Sequence, residues 1–417
     1  MKKILLIGLT YFLIASCENM DVNNNNASSE PIKIELTANE AAMTVDGQDF
    51  AMKFFSTIYE NEEKENFLIS PFSLSMALGV VRNGAGGETK QEMQDVLGMK
   101  DFSDEEVNAY YKKLKDVLIT TDPTLTLAIA NSIWYNKDLF TIKSDFSNLS
   151  KTWFDAPVTG LDYSQMNKAV QTVNQWCEDN TNGLIKDMLE NLAAVEILNA
   201  LYFKGDWSKH YDFDVTKTTK EDFTKEDGGK IKIDLMNKKS ALLYYEDEYL
   251  SYTSVPYGNK AYSMYFVLPN ENVSFGEMTV QLAASGYWAQ CIQAGRSPVE
   301  VILSVPKFKI EYKNKGLKDM LSQMGMEITC SSEAEFPHIA VGANFFIDRV
   351  TQKTYIQVDE KGTEAAAVTE IGMDSAAAPG EETPPKVFRA DRPFLFLIQE
   401  NSTGTILFMG KVGNPVE

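Results

Sequence analysis

The alternation in residues 362–378, GTEAAAVTEIGMDSAAA, constrains the fold of this chain more than any other feature. The odd positions are all uncharged, whereas the three charged residues, Glu364, Glu370 and Asp374, all stand at even positions. A period of two with one neutral face is the pattern of a half-buried strand. The segment is nevertheless rich in alanine, and it has no turn that returns to a nearby partner strand.

Three interpretations of this stretch are open. The alternation predicts a segment that becomes a strand by entering a sheet already built elsewhere in the chain. A short helix is the second interpretation, because alanine is the best helix former. A plain exposed loop is the third.

The amino terminus is predicted to be separate from the folded part. Lys2 and Lys3 precede an apolar run that ends near Ala15 and is too short to span a bilayer, as in a secretory signal. The sequence Ile-Ala-Ser-Cys at residues 14–17 resembles a bacterial lipobox, in which the signal is removed and the cysteine is lipidated. A buried N-terminal helix is the alternative.

The lipobox resemblance implies a signal peptide at residues 1–16 and a lipid anchor on Cys17. Residues 17–39 are then predicted to include a polar, flexible tether, since the stretch after Cys17 is rich in asparagine and serine and has no apolar period. The expected location is the outer membrane or cell surface of a bacterium. The remaining residues, 40–417, are long enough for one large mixed domain.

The net charge and the cysteine content argue against polyanionic partners and against a disulfide-stabilised fold. The formal net charge of −20 gives no electrostatic reason to bind nucleic acid or heparin-like polymers. Besides Cys17, the chain holds three widely spaced cysteines, which do not make a disulfide framework.

No catalytic or cofactor motif stands out. The only histidines are His210 and His338, and the chain lacks HExxH, CxxC, GxSxG and GxxxxGK[ST]. Fifty-nine acidic residues leave a catalytic carboxylate pair open by count, but nothing nominates a particular pair. We therefore expect neither an enzyme nor a metal or cofactor site.

Several segments resemble motifs of the serpin family, serine-protease inhibitors with a mobile reactive loop. They occur in the expected order from about residue 40 to 415: NFLISPFSLS (66–75), GAGGET (84–89), NALYFKGDW (199–207), VPY (255–257), VPKF (305–308), DEKGTEAA (359–366), FRADRPFLF (388–396) and FMGKV (408–412). The resemblance implies an α+β serpin fold with a large central β-sheet, two further sheets, surrounding helices and an exposed reactive-centre loop at about residues 360–386.

The implied function is suicide inhibition of a protease, which forms a covalent complex with a monomeric inhibitor. The protease cleaves the loop, and the freed arm enters the central sheet before the acyl-enzyme is hydrolysed. The hinge of the loop corresponds to Glu360, Gly362, Thr363, Glu364, Ala365, Ala366 and Ala367. A non-inhibitory serpin-fold binding module is the alternative, although no bulky, charged or proline residue stands at positions 365–368.

The resemblance to the family also suggests where the scissile bond lies, by counting from the hinge glutamate. Sixteen residues after Glu360 comes Ala376, followed by Ala377. The count from the carboxyl side disagrees, because the segment before Pro393 is longer than usual, and Met373 is the next candidate. Residues 362–385 contain no Lys or Arg, which favours an elastase-like or subtilisin-like target over a trypsin-like one.

Residues that control opening of the sheet also transfer by position. Ser70, Ser73 and Asn199 match the family's shutter, and Trp207 matches the breach where the loop first enters. Ordinary packing of buried polar groups is the alternative reading for all four. Gln352 stands where a shutter histidine is usual in vertebrate members, and glutamine does not titrate. We therefore expect sheet opening to be insensitive to pH between about 5 and 8.

Overall fold

The computed structural model describes residues 30–183, 185–342, 345–363 and 384–416. The segments Glu364–Ala367, Met373 and Ala376–Ala377 of the predicted loop lie outside the described residues, as does Cys17. The helices of the described residues are α1 (Ala38–Asn61), α2 (Pro71–Arg82), α3 (Gly87–Leu97), α4 (Asp104–Leu118), α5 (Ser144–Phe154), α6 (Met166–Asn180), α7 (Phe275–Leu282), α8 (Tyr287–Ala294) and α9 (Leu317–Gln323).

Among the described residues, all strands except the first lie after residue 125. The strands are β1 (Phe67–Ile69), β2 (Thr126–Asn136), β3 (Thr141–Ile142), β4 (Val158–Leu161), β5 (Val195–Asp206), β6 (Thr219–Thr224), β7 (Lys230–Glu246), β8 (Leu250–Pro256), β9 (Tyr262–Pro269), β10 (Pro298–Pro306), β11 (Phe308–Asn314), β12 (Ala340–Val341), β13 (Arg349–Val358), β14 (Gly362–Thr363), β15 (Lys386–Arg389), β16 (Phe394–Glu400) and β17 (Ile406–Val412).

Apart from the short antiparallel pair β3–β12, the strands of the described residues form a central sheet and two further sheets. The central sheet has the order β11-β13-β14-β5-β2-β4. The second sheet, β1-β17-β16-β9-β8, is joined to the third by the long strand β7, whose residues 244–246 pair with β8 while the rest pairs with β6 and β10. β15 lies parallel to β10 at the edge of the third sheet. The α+β fold expected from the sequence is thereby confirmed.

β5 is covered on both faces, which explains its continuous apolar sequence. Ile197, Leu201 and Phe203 belong to the main core, whereas Leu198 and Ala200 pack with the apolar side of α6 in a second cluster. A strand buried on both faces has no need of polar alternation. The central part of β5 therefore lies deep inside the molecule.

Helix α2 is buried along its whole length and lies between the central sheet and β17. It begins at Pro71, which suits the first helical position because the missing N–H would have no intrahelical partner there. Ser70 precedes it as the N-cap residue and is also fully buried. This places the start of α2 against the strands of the central sheet.

The packed part of the chain begins before residue 40, the start that the sequence predicted. Ile34 is buried, and its backbone N–H donates to Ser402 Oγ at 3.0 Å. Helix α1 then starts after Thr37, whose side chain forms a capping box with Glu40. In the described part of the chain, no helix combines the length and apolar character needed to cross a membrane.

Candidate functional site at the opening of the central sheet

The candidate site is the boundary between β5 and β13. The two strands pair directly and in parallel from Arg349 opposite Glu196 to Thr354 opposite Leu201. Beyond this stretch β14 lies between them, with Thr363 pairing in antiparallel fashion to Val358 of β13 and to Gly205 of β5. The sheet is therefore closed along one part of this boundary and already holds the first two residues of an additional strand at the other.

Gly362 lies where backbones approach too closely for a side chain. A Cβ atom at this position would stand 2.2 Å from the carbonyl oxygen of Gly205 and 2.6 Å from Asp206 Cα. Because these are backbone atoms of β5, they cannot move aside as the end of a flexible side chain would. The glycine thus allows β14 to enter at the edge of the opening.

Thr363 points into the core and is held there. Its side chain is fully buried, and its hydroxyl lies 2.6 Å from the hydroxyl of Tyr257. Tyr257 stacks on Trp207 with ring centroids 4.4 Å apart. Trp207 in turn donates from its indole N–H to Asp359 O at 3.0 Å and from its backbone N–H to Lys361 O at 2.7 Å. The predicted breach residue Trp207 therefore binds the turn that leads into β14.

Glu360 anchors the same turn by its side chain. Its carboxylate lies 3.0 Å from Lys307 Nζ and accepts a hydrogen bond from Thr218 Oγ1 at 2.8 Å, and its carbonyl accepts from Phe213 N–H. Burial acts to raise the pKa of this carboxyl, but its backbone hydrogen bond and the contacts with Lys307 and Thr218 outweigh burial, so the pKa lies below its usual range.

The predicted shutter residues converge on one level of the closed boundary, where Gln352 is opposite Asn199. Gln352 Oε1 accepts from Ser70 N–H at 2.8 Å, and Gln352 Nε2 donates to Ser70 O at 3.0 Å and to Asn199 Oδ1. Asn199 Nδ2 donates to Ser73 Oγ and to Asn131 Oδ1. These buried side chains connect α2, β2, β5 and β13, so the strands cannot part here without breaking the network.

Sequence reasoning missed several partners in these contacts. Asn131 is a buried amide inside the apolar run of β2, and such a residue signals a buried polar network. Tyr257 and Lys307 lie in motifs noted above, but nothing local indicates that they contact the hinge. Arg349 and Glu196, which face each other at the end of the closed boundary, also carried no signal.

The chain matches the family model described as Serpin (serine protease inhibitor) over residues 46–415. This chain is a serpin. Its fold is similar to that of tengpin, a thermophilic serpin in its native state, with 30% identity, a TM-score of 0.81, and 93% of this chain and 97% of that chain covered.

Two human serpins show the functional range of its relatives. Human leukocyte elastase inhibitor is 29% identical, with 88% of this chain and 97% of the relative covered. Human thyroxine-binding globulin is 27% identical, with a TM-score of 0.80, and 91% of this chain and all of that chain covered. Membership of the family therefore suggests protease inhibition without fixing the target.

Proposed function

We propose that this serpin is a suicide inhibitor of elastase-like or subtilisin-like serine proteases. The observation that carries the proposal is the placement of Thr363, which is hydrogen-bonded within the sheet between β5 and β13 and faces the core. Because strand side chains alternate, a strand continuing from Thr363 would turn the neutral odd positions of the loop to the core. Its charged even positions would face the other side.

The pairing of Thr363 also supports a definite register for the entering strand. Thr363 pairs with Val358 of β13 and with Gly205 of β5, and both pairings are antiparallel. Thr369, six residues further along the loop, would therefore lie level with the residues six positions earlier on each neighbour. These are Gln352 on β13 and Asn199 on β5. Those two residues are already opposite each other. A strand could therefore enter without either neighbour sliding along its axis.

The proposed reaction begins when the protease nucleophile attacks the scissile carbonyl and forms an acyl-enzyme. We place this bond between Ala376 and Ala377, with Met373 as the next candidate. Entry of the freed arm then distorts the protease, and loss of an oxyanion-hole donor costs about 2.7–4 kcal/mol of catalysis. About a dozen residues that each gain a net ~0.5–1.5 kcal/mol hydrogen bond provide on the order of 10 kcal/mol for this work.

A lipid anchor at Cys17 would hold the inhibitor at a bacterial surface, where it would meet secreted proteases. The proposed partners are thus one target protease, bound covalently, and the membrane, bound through the anchor. We propose a monomer that needs neither a cofactor nor a heparin-like polymer. The lipobox resemblance at residues 14–17 supports this arrangement.

The test uses soluble protein that lacks residues 1–17, mixed with an elastase and, separately, with a subtilisin. We expect a complex that survives boiling in SDS, together with a released carboxyl-terminal peptide that begins at Ala377. A peptide that begins at Asp374 would instead assign the bond to Met373. Protease whose active-site serine has been blocked beforehand is the control and should form no complex.

The second candidate is a non-inhibitory binding module. The similarity to thyroxine-binding globulin supports it, because that serpin is named as a binding protein. Cleavage of the loop without any stable complex, by elastases, subtilisins and chymotrypsin-like enzymes alike, would favour this candidate and refute the first.

A further inference from the structure

An ion pair closes the boundary between β5 and β13 at the end remote from the hinge. Glu196 of β5 and Arg349 of β13 are opposite each other in the register and form the last direct pair at that end. On β5, Glu196 has the same parity as Leu198 and Ala200, which pack with α6. The pair therefore lies on the face of the central sheet opposite to the side chain of Thr363.

The side-chain partners of Glu196 lie across the boundary on β13, and one further hydrogen bond comes from the backbone of Ala193 on its own side. Its side chain is fully buried, and Arg349 donates to it from Nε at 2.7 Å while Nη2 lies 2.6 Å from the same oxygen. Thr351 of β13 donates from Oγ1 to the other oxygen at 2.6 Å. The guanidinium of Arg349 also donates to the side chain and backbone oxygens of Asn191, which precedes β5. We call Glu196, Arg349 and Thr351 the base latch.

Strand entry must disrupt the base latch. Adjacent strands lie about 4.8 Å apart, so a strand between β5 and β13 roughly doubles the distance between them. The short side chain of Thr351 cannot span that distance, and the Arg349 side chain would have to extend to keep Glu196. Burial raises the pKa of Glu196, and the opposing effects of Arg349 and Thr351 do not cancel the rise. Separation of the strands would therefore leave a buried carboxylate with fewer partners.

The position of the latch makes its opening a late step. A strand continuing from Thr363 would reach the level of Glu196 and Arg349 nine residues later, after it had passed Gln352 and Asn199. Partial entry near the hinge leaves the latch intact, whereas complete entry does not.

We propose that the base latch resists the last stage of strand entry and so slows conversion of the uncleaved serpin to a fully inserted form. The inference rests on the proposed function only in so far as it requires that the loop can enter the sheet. In an inhibitor, the latch would preserve the loop for its target. After cleavage, the freed arm gains enough hydrogen bonds to break it.

The test follows spontaneous conversion without any protease. Soluble uncleaved protein is incubated at a fixed elevated temperature, and the inserted form is separated from the native form by its resistance to urea in native gel electrophoresis. We expect Glu196→Gln to convert at least about tenfold faster than the wild type, because a hydrogen-bonded ion pair is replaced by a neutral amide. Thr351→Val, which removes one hydrogen bond of the latch, should convert about threefold faster or more.

Glu311→Gln is the matched control. Glu311 of β11 lies 2.9 Å from Lys353 of β13, and these strands remain neighbours when a strand enters on the other side of β13. Its conversion rate should stay within about twofold of the wild type, because the Glu311 carboxylate is largely exposed and its pair with Lys353 does not cross the opening boundary. Equal acceleration by Glu311→Gln would overturn the proposal, because the effect would then be general destabilisation of the sheet.

The remaining outcomes separate this proposal from the proposed function. Wild-type conversion rates in both latch variants, or no conversion of any variant below the temperature of unfolding, would refute the latch even if proteases are trapped. Faster conversion without any trapping of protease would support the latch and refute inhibition. If Glu196→Gln does not fold, Thr351→Val decides.

Discussion

At the residue scale, Gln352 joins the closed sheet to the start of α2 with a group that carries no charge at any physiological pH. Its amide both accepts from and donates to the backbone of Ser70, and it donates to Asn199. Glu360, which anchors the hinge, has a lowered pKa and is ionised throughout the neutral range. A group of this kind contributes stability above its ordinary pKa and loses it only as the pH falls through the lowered value.

We therefore expect the rate of spontaneous conversion to change by less than about threefold between about pH 6 and 8, because neither Gln352 nor Glu360 titrates there. Toward pH 5 the base latch itself would begin to weaken, since burial raises the pKa of Glu196. Gln352→His should introduce an acceleration below about pH 6.5, because protonation would place a charge at a buried position. Conversion is measured across this window by urea-resistant migration in native gels. Gln323→His, at an exposed position, is the control and should leave the profile flat. A tenfold change for the wild type within the window would contradict the argument.

At the element scale, the sequence predicted that the hinge can form a strand, and it also left a helix and a plain loop open. The structure decides this for Gly362 and Thr363, which form β14. Sequence reasoning could not find the partners of β14, because pairing with Gly205 and contact with Tyr257 join residues distant along the chain. Alternation predicts which face a residue takes, but register depends on those distant neighbours.

The same alternation predicts opposite effects for two adjacent substitutions. In the register set by Thr363, Ala367 would reach the level of Thr354 and Leu201 on the core face, both fully buried, whereas Ala366 would lie on the opposite face. Ala367→Glu should bury an unpaired carboxylate on insertion, which reduces the free energy of insertion by several kcal/mol. Ala366→Glu is the matched control.

We expect Ala367→Glu to be cleaved as a substrate, with at least about tenfold less covalent complex per cleavage than the wild type, since the cost lowers the insertion free energy. Ala366→Glu should retain most of its trapping. The ratio of complex to cleaved inhibitor on SDS gels measures both. Equal trapping by the two variants would refute the assigned faces of the inserted strand.

At the scale of the whole molecule, the central sheet already has backbone hydrogen bonds between β5 and β13 before any strand enters. It can form additional hydrogen bonds when a strand does enter. β5 and β13 already bond to each other along the closed boundary, so the uncleaved fold is compact and hydrogen-bonded there. An entering strand would exchange that single ladder for two. The family motifs along the chain predicted the central sheet and the hinge beside it, because some of these motifs correspond to strands and one corresponds to the hinge. The network of Asn131, Gln352 and Asn199 could not be predicted in the same way, since it depends on packing among distant elements.

Cleavage alone should therefore raise thermal stability, even without a trapped protease. An insertion free energy on the order of 10 kcal/mol, in a domain of this length, corresponds to a rise in Tm of about 10 °C or more. The measurement compares intact and loop-cleaved protein by calorimetry after the protease has been inactivated and removed. Cleaved Ala367→Glu is the control. Its Tm should rise clearly less, because insertion of its arm would bury the introduced carboxylate in the core. A cleaved wild-type protein that melts at the temperature of the intact protein would show that the arm does not enter the sheet, and inhibition by strand entry would then fail with it.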